Sequence, residues 1–221
     1  MVKNGRKGWV DLGEGLNDAL RAMTDFTVSA RLYISTVNRY DRAGYVLLSF
    51  TPGDNISLSD KGYLYIGAAD AGVHLSTSTV SDEQSVTATR GLQTGNWHTF
   101  TWTCRNGVVR YSLDGIYQTG GRIGLTPRDL AGTLRGRLFG TVNEGEARLA
   151  STYLSDFRIY DGALTTAEVS ALAGKEYKED TSTLIGDYTF APDAVPAGAS
   201  LHGSAQLTEV SGEGGPHPGG G

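Results

Sequence analysis

A chain of 221 residues is long enough for one large β-sandwich with a full core. Charged residues make up only 19% and the formal net charge is -5, so the basic stripe that phosphate backbones demand is missing and nucleic acid is excluded as a partner class. The single cysteine excludes an intramolecular disulfide and a Cys-based zinc site, and no apolar run approaches the roughly 18 residues that cross a bilayer, which excludes membrane insertion by a helix.

In chain order, the basic start Met1–Lys7 is followed by no apolar signal region. The chain therefore reads as part of a larger protein, with any export signal expected outside it. Leu16–Met23 has weak helical spacing and predicts a single turn. From Asp25 to Ser35 the residues Phe26, Val28, Ala30, Leu32 and Ile34 are apolar at every second position, the period of a half-buried strand, and Arg31 and Tyr33 fall on its other face.

Similar runs predict strands at 45–50, 62–68, 73–78, 85–90, 97–104, 108–113, 133–139 and 153–160, separated by Gly, Asp, Asn and Ser clusters. Within 97–118, Asn106-Gly107 and Asp114-Gly115 supply residues that accept the positive φ of tight hairpin turns. Cys104 lies in the alternating run 97–104 and is expected to be buried filler. Thr165 with Glu168 three residues on forms a capping box, and Leu164 and Val169 form a staple, so a short helix is predicted near 165–173. From 211 to 221 the composition is that of a flexible Gly/Pro linker.

The segments Gly8-Trp-Val-Asp-Leu12, Phe26-Thr-Val-Ser-Ala30, Gly95-Asn-Trp-His-Thr-Phe100, Val109-Arg-Tyr-Ser-Leu-Asp-Gly115 and Leu154 to Val169 resemble, in this order, the laminin-G-like/concanavalin-like domains of bacterial extracellular glycosidases and surface proteins. The match spans roughly residues 8 to 174, and its last segment is the most specific. The resemblance implies an all-β, concanavalin-like jelly-roll sandwich of two antiparallel sheets with one short helix, often calcium-bearing and often sugar-binding. It also implies that the family's opening edge segment is missing from the N-terminus. A similar stretch, Gly186-Asp-Tyr-Thr-Phe190 followed by Ala199–Val210, lies near the C-terminus. Residues 1–210 are therefore expected to form one domain in which 183–210 supply those edge strands, by circular permutation or by a cut through a tandem array.

Catalytic chemistry finds no local signature. Related jelly-roll glucanases carry Glu-x-Asp-x-x-Glu on one strand, and no such string occurs. The acidic groupings Asp82-Glu83, Glu144-Gly145-Glu146 and Glu176–Asp180 sit in polar turn-like contexts, and His74, His98, His202 and His217 are scattered. No catalytic residue is assigned.

Sugar binding needs aromatic rings for C–H faces and planar polar groups for hydroxyls. Three groups offer them: Tyr40, Asp41 and Arg42 in one loop; Asn143 and Arg148 in a second; and Arg31 and Tyr33 on an open sheet face, with Tyr63 or Tyr65 from a later strand. Arg31 would suit an acidic sugar through a bidentate carboxylate contact. The resemblance points to Asp156 as ligand of a structural calcium ion.

The expected function is a non-catalytic carbohydrate-binding module that holds an extracellular or cell-surface parent at its glycan, as a monomer within a multidomain protein. The rivals are an adhesion or spacer domain that binds protein, and a polysaccharide hydrolase or lyase with paired acids or a Tyr/His/Arg group.

Overall fold

The structure, a computed structural model, describes residues 1–4, 8–35, 46–52, 62–67, 70–78, 80–88, 91–139, 152–174 and 183–208. Its strands in chain order are β1 (Val2–Asn4), β2 (Trp9–Gly13), β3 (Phe26–Ile34), β4 (Val46–Pro52), β5 (Tyr63–Gly67), β6 (Val73–Ser76), β7 (Gln84–Val86), β8 (Trp97–Arg105), β9 (Val108–Leu113), β10 (Ile116–Arg122), β11 (Leu134–Leu138), β12 (Thr152–Asp161), β13 (Thr183–Thr189), β14 (Ser200–His202) and β15 (Gln206–Leu207). Helix α1 (Asn17–Ala22) precedes β3, and α2 (Thr166–Leu172) follows β12.

These strands form two antiparallel sheets packed face to face. The front sheet runs β10-β9-β8-β3-β12-β1-β15, with β13 also paired to β12, and the back sheet runs β14-β2-β11-β4-β5-β6-β7. The alternation in β3 sends Phe26, Val28, Ala30, Leu32 and Ile34 into the core, each at 1% exposure or less. Val10, Leu12, Leu48, Phe50, Leu64, Ile66, Val73 and Leu75 meet them from the back sheet. Trp102, fully buried on β8, ties the layers together by donating its indole N–H to the Ala71 carbonyl at 2.9 Å.

The turns follow from their residues. Asn106 and Gly107 have φ of 50° and 74°, and Asp114 and Gly115 have 49° and 76°, the positive pairs that match strand twist in two-residue hairpins. Thr165 caps α2 by accepting from the Glu168 N–H at 3.3 Å, while Glu168 Oε2 accepts from the Thr165 N–H at 2.6 Å. Leu164 and Val169 pack with Tyr160 in a small cluster separate from the main core.

Three expectations change in detail. The stretch read as a single turn at 16–23 is a six-residue helix, because Leu16, Leu20 and Met23 share one buried face and Arg21 donates to the Leu130 and Gly132 carbonyls. The strand expected at 85–90 is shorter, Gln84–Val86, and among the described residues pairs with β6 alone. Val2–Asn4, read only as a basic start, is a strand lying between β12 and β15.

The C-terminal stretch contributes to both sheets. Strand β13 pairs with β12, in register Phe157 with Tyr188, and Tyr188 and Phe190 are buried. Strand β14 pairs with β2, and β15 with β1.

Candidate functional site

On the outer face of the front sheet, side chains that alternate away from the core converge near one end of β8, β3 and β12. Trp97, Tyr33 and Tyr153 are cross-strand neighbours, with Tyr33 in the middle. The Tyr33 ring lies 6.0 Å from Trp97 at 57° and 6.0 Å from Tyr153 at 79°. Such tilted and edge-on contacts hold the three rings in place. All three are half-buried.

The next register position carries charge. Arg31 pairs across the ladder with Thr99 on one side and Asp156 on the other. It is exposed and makes no ion pair among the described residues. Asp156 reaches this position because Ser155 is an extra residue in β12: the register shifts between Leu154 and Asp156, and the bulge turns Asp156 outward beside Arg31. The Phe190 N–H donates to the Ser155 carbonyl at 2.9 Å, so the C-terminal stretch satisfies the bulged backbone.

The outer face of the back sheet is polar and closed upon itself. Asp11, Arg137, Ser49, Tyr65 and His74 occupy one cross-strand row. Arg135 grips Asp11 through Nε at 3.0 Å and Nη2 at 2.6 Å, and Arg137 donates to Thr51 Oγ1 at 3.1 Å. Burial alone would raise the Asp11 carboxyl, but the bonds from Arg135 and the Gly13 N–H hold it below its ordinary value.

Further along the row, His74 is clamped between two carboxylates. Its Nδ1 lies 2.8 Å from Glu83 Oε1, and its Nε2 lies 3.0 Å from Asp70 Oδ2. Burial works to lower its pKa, yet the bonds and charges of Asp70 and Glu83 win and raise it. The ring stacks on Tyr65 at 4.2 Å, and the Tyr63 hydroxyl donates to Glu83 Oε2 at 2.6 Å. Both phenols are pushed far above their ordinary range, first by burial and then by Glu83. This face thus favours the protonated form of His74 and the neutral form of both phenols, each with its partners inside the cluster.

Of the residues singled out in the sequence, Arg31, Tyr33 and Asp156 come together in one patch. Tyr63 and Tyr65 do not join them: β5 belongs to the back sheet, so the whole core separates these tyrosines from Tyr33. Tyr40, Asp41, Arg42, Asn143 and Arg148 lie outside the described residues. Trp97 and Tyr153 were not singled out, although both sit in recognised strands. The parity set by the buried Phe100 and Trp102, and by Leu154, marks them as outward-facing.

The described surroundings of Asp156 do not fit calcium, which takes six to eight oxygen ligands. Its Oδ2 accepts from the Ser155 hydroxyl at 2.7 Å, and its Oδ1 faces the Arg158 guanidinium at 3.8 Å, a cation already in place. Arg158 also reaches Asp187 at 3.4 Å. Among the described residues no group of three or more His, Cys, Asp or Glu converges as a metal-binding set.

The profile of the concanavalin A-like lectin/glucanases superfamily matches residues 4–170. No curated protein matches the chain. Among solved structures, the CBM40 domain of a Ruminococcus gnavus IT-sialidase aligns with a TM-score of 0.57 at 17% identity, covering 79% of this chain and 99% of that one. The same domain bound to alpha2,3 sialyllactose aligns with a TM-score of 0.56 at 16% identity, covering 79% and 98%. Domain 4 of AbnA, an extracellular arabinanase of Geobacillus stearothermophilus, in complex with arabinotriose, aligns with a TM-score of 0.50 at 17% identity, covering 69% and 68%. At these identities the likeness is one of fold, and the neighbours are carbohydrate-binding domains.

Proposed function

Because the chain belongs to the concanavalin A-like lectin/glucanase superfamily, we propose that it is a non-catalytic carbohydrate-binding domain whose glycan site is the outer patch of the front sheet. The observation that carries this reading is the Trp97–Tyr33–Tyr153 cluster with Arg31 beside it, exposed and without an ion pair among the described residues. Rings receive the apolar face of a pyranose, and a guanidinium held one register step away receives a carboxylate in a bidentate fork, so the patch suits a glycan ending in an acidic sugar. The sugar ligands named for the neighbouring structures support a glycan partner.

The chemistry of the back sheet supports a role without catalysis. Tyr65, His74 and Arg137 lie in one row, the residue types a polysaccharide lyase would need. A lyase or hydrolase base, however, needs a free lone pair near neutral pH. Both His74 nitrogens are engaged by carboxylates and its pKa is raised, while the phenols of Tyr63 and Tyr65 are held in their neutral form. Asp11 is already neutralised by Arg135.

We read residues 1–210 as one domain, with 183–210 standing in for the family's opening strands and 211–221 a linker. Its work is to raise the local concentration of an extracellular or cell-surface parent at its glycan.

The test is a glycan array probed with the chain, with and without a calcium chelator, followed by titration of the best ligand. Binding is expected to favour acidic glycans and to survive chelation. Trp97→Ala and Tyr33→Ala should each weaken affinity by about tenfold, the worth of one aromatic contact. Arg31→Ala should erase the preference for acidic over neutral glycans. Unchanged affinity in folded variants would remove the patch as the site, and silence across the array would move the assignment to an adhesion or spacer domain.

A further inference from the structure

Beside the ring cluster, the outer face of the front sheet carries a small grid of charge. Asp156 and Arg158 flank the buried Phe157 and so share that face of β12. Across the ladder to β3 they stand opposite Arg31 and Ser29, and across the ladder to β13 opposite Thr189 and Asp187. Two cations and two anions therefore occupy neighbouring positions, and Asp156 has two guanidiniums to choose from: Arg31 on the next strand and Arg158 on its own. Directly opposed residues lie about 4.5–5.5 Å apart at Cβ, close enough for an ion pair.

The choice falls one way. Asp156 Oδ1 faces Arg158 Nη1 at 3.8 Å, and its Oδ2 accepts from the Ser155 hydroxyl at 2.7 Å. Arg158 in turn reaches β13, with its Nε 3.4 Å from Asp187 Oδ1, and the Thr189 hydroxyl donates to that same Asp187 oxygen at 3.3 Å. Arg31, directly opposite Asp156, is exposed and makes no ion pair among the described residues. The bulge contributes to this outcome, because its extra residue, Ser155, is the one whose hydroxyl engages Asp156.

Taken singly, these contacts add little stability. The side chains of Asp156, Arg158 and Asp187 are 27%, 30% and 43% exposed, and water screens most of the worth of such ion pairs. Their consequence is for selectivity. An Asp156 carboxylate paired with Arg31 would fill the fork that an acidic ligand needs, and would set a negative charge against the ligand's own. A carboxylate turned to Arg158 leaves the fork open.

We propose that Arg158, with Ser155, is a positioning residue of the patch: it holds Asp156 and thereby keeps the Arg31 guanidinium open for an acidic ligand. Asp187 anchors Arg158, which makes the C-terminal stretch a contributor to the patch even though β13 lies on the far side of β12 from Arg31. That the ligand is an acidic sugar rests on the glycan-binding reading above. The competition of two guanidiniums for Asp156 does not.

The experiment follows the Arg31 Nε–H by NMR in the chain without ligand, and then measures affinity for the best acidic and the best neutral glycan from the array. In the wild type the Arg31 Nε–H should exchange with water as a free side chain does. In Arg158→Gln it should shift and exchange more slowly as Asp156 turns to Arg31, and adding Asp156→Asn should undo both changes. The preference for the acidic over the neutral glycan should fall about threefold in Arg158→Gln and recover in the double variant, the range expected for one half-exposed ion pair. Arg158→Lys, which keeps the cation, should behave as the wild type. A merely structural role for Arg158 predicts weaker binding of both glycans that the double variant does not recover, with no change at Arg31, and that result overturns the proposal. So does an Arg31 signal that responds while the preference stays unchanged. If no acidic glycan binds but the Arg31 signal responds as expected, the glycan reading falls and the positioning of Asp156 by Arg158 stands. An unmoved Arg31 signal alongside acidic-glycan binding refutes the positioning alone.

Discussion

Replacing His74 with Gln takes the cation out of a site built around it. The imidazole side chain is 8% exposed, Glu83 20% and Asp70 38%. Removing one partner from a fully buried ion pair costs about 3–5 kcal/mol. Asp70 is screened by water, so its share is discounted and the expected loss is about 2–3 kcal/mol. For a chain of this size that is a fall in Tm of roughly 5–10 °C.

The sign of the pH dependence follows from the geometry. An imidazolium donates to Glu83 and Asp70 at once, whereas a neutral ring has one N–H and leaves one carboxylate facing a lone pair. The folded pKa of His74 is raised. Its stabilisation is therefore complete below the unfolded value of about 6.5 and fades as pH rises through the folded value. The Asp70 pKa is lowered: burial pushes it up, but the bond from His74 and its charge prevail. That contribution is present above the unfolded value near 4 and fades as pH falls through the folded one.

Urea unfolding of the wild type and His74→Gln should then differ most near pH 6 and less near pH 9, while NMR titration of the ring follows the proton directly. A His74 pKa at or below about 6.5, or a stability difference that grows toward pH 9, would refute this account. It would also return a free base to the back sheet and reopen the catalytic reading.

Gly136→Ala places a methyl group 2.7 Å from Phe50 Cε1 and 3.2 Å from Leu12 Cβ, both buried, so overpacking should cost about 2 kcal/mol in chemical denaturation. The Cys104 thiol is fully buried and pushed up to about 11, first by burial. It should resist a thiol-specific reagent in the native state and react at once in denaturant. Tyr188→Ala removes a ring packed 6.1 Å from Phe157 and should cost about 3 kcal/mol if the C-terminal stretch is integral to the domain. A cost under about 0.5 kcal/mol, the level of ordinary surface changes, would detach that stretch from it.

The fold was legible wherever one rule acted alone. Alternation found β3, β8, β9 and β12, turn chemistry found both hairpins of β8–β10, and the capping box found α2 to within a residue. It was harder to read where tertiary contacts override local pattern. Val2–Asn4 carries a basic, unpatterned sequence and is a strand because β12 and β15 offer it ladder partners on both sides. The helix at Asn17–Ala22 has no side-chain cap and depends on Arg21 and Asn17 bonding to the distant 130–134 segment.

The candidate site was only half legible. Period-two reading assigns a residue to a face on the assumption that the ladder is unbroken. Ser155 breaks it in β12 and Gln118 breaks it in β10, and each bulge shifts every later side chain by one position relative to its partner strand. Arg31 and Tyr33 could be placed on one face from β3 alone, because β3 is the regular member of its pair. That Asp156 stands opposite Arg31, and that Thr119 rather than Gln118 stands opposite Tyr111, depends on pairing across the ladder, which no single strand encodes. The grouping of Tyr33 with Tyr63 and Tyr65 failed for the same reason, since parity fixes a face within a strand but not the sheet the strand joins. The front-sheet patch therefore sits where the ladder is irregular.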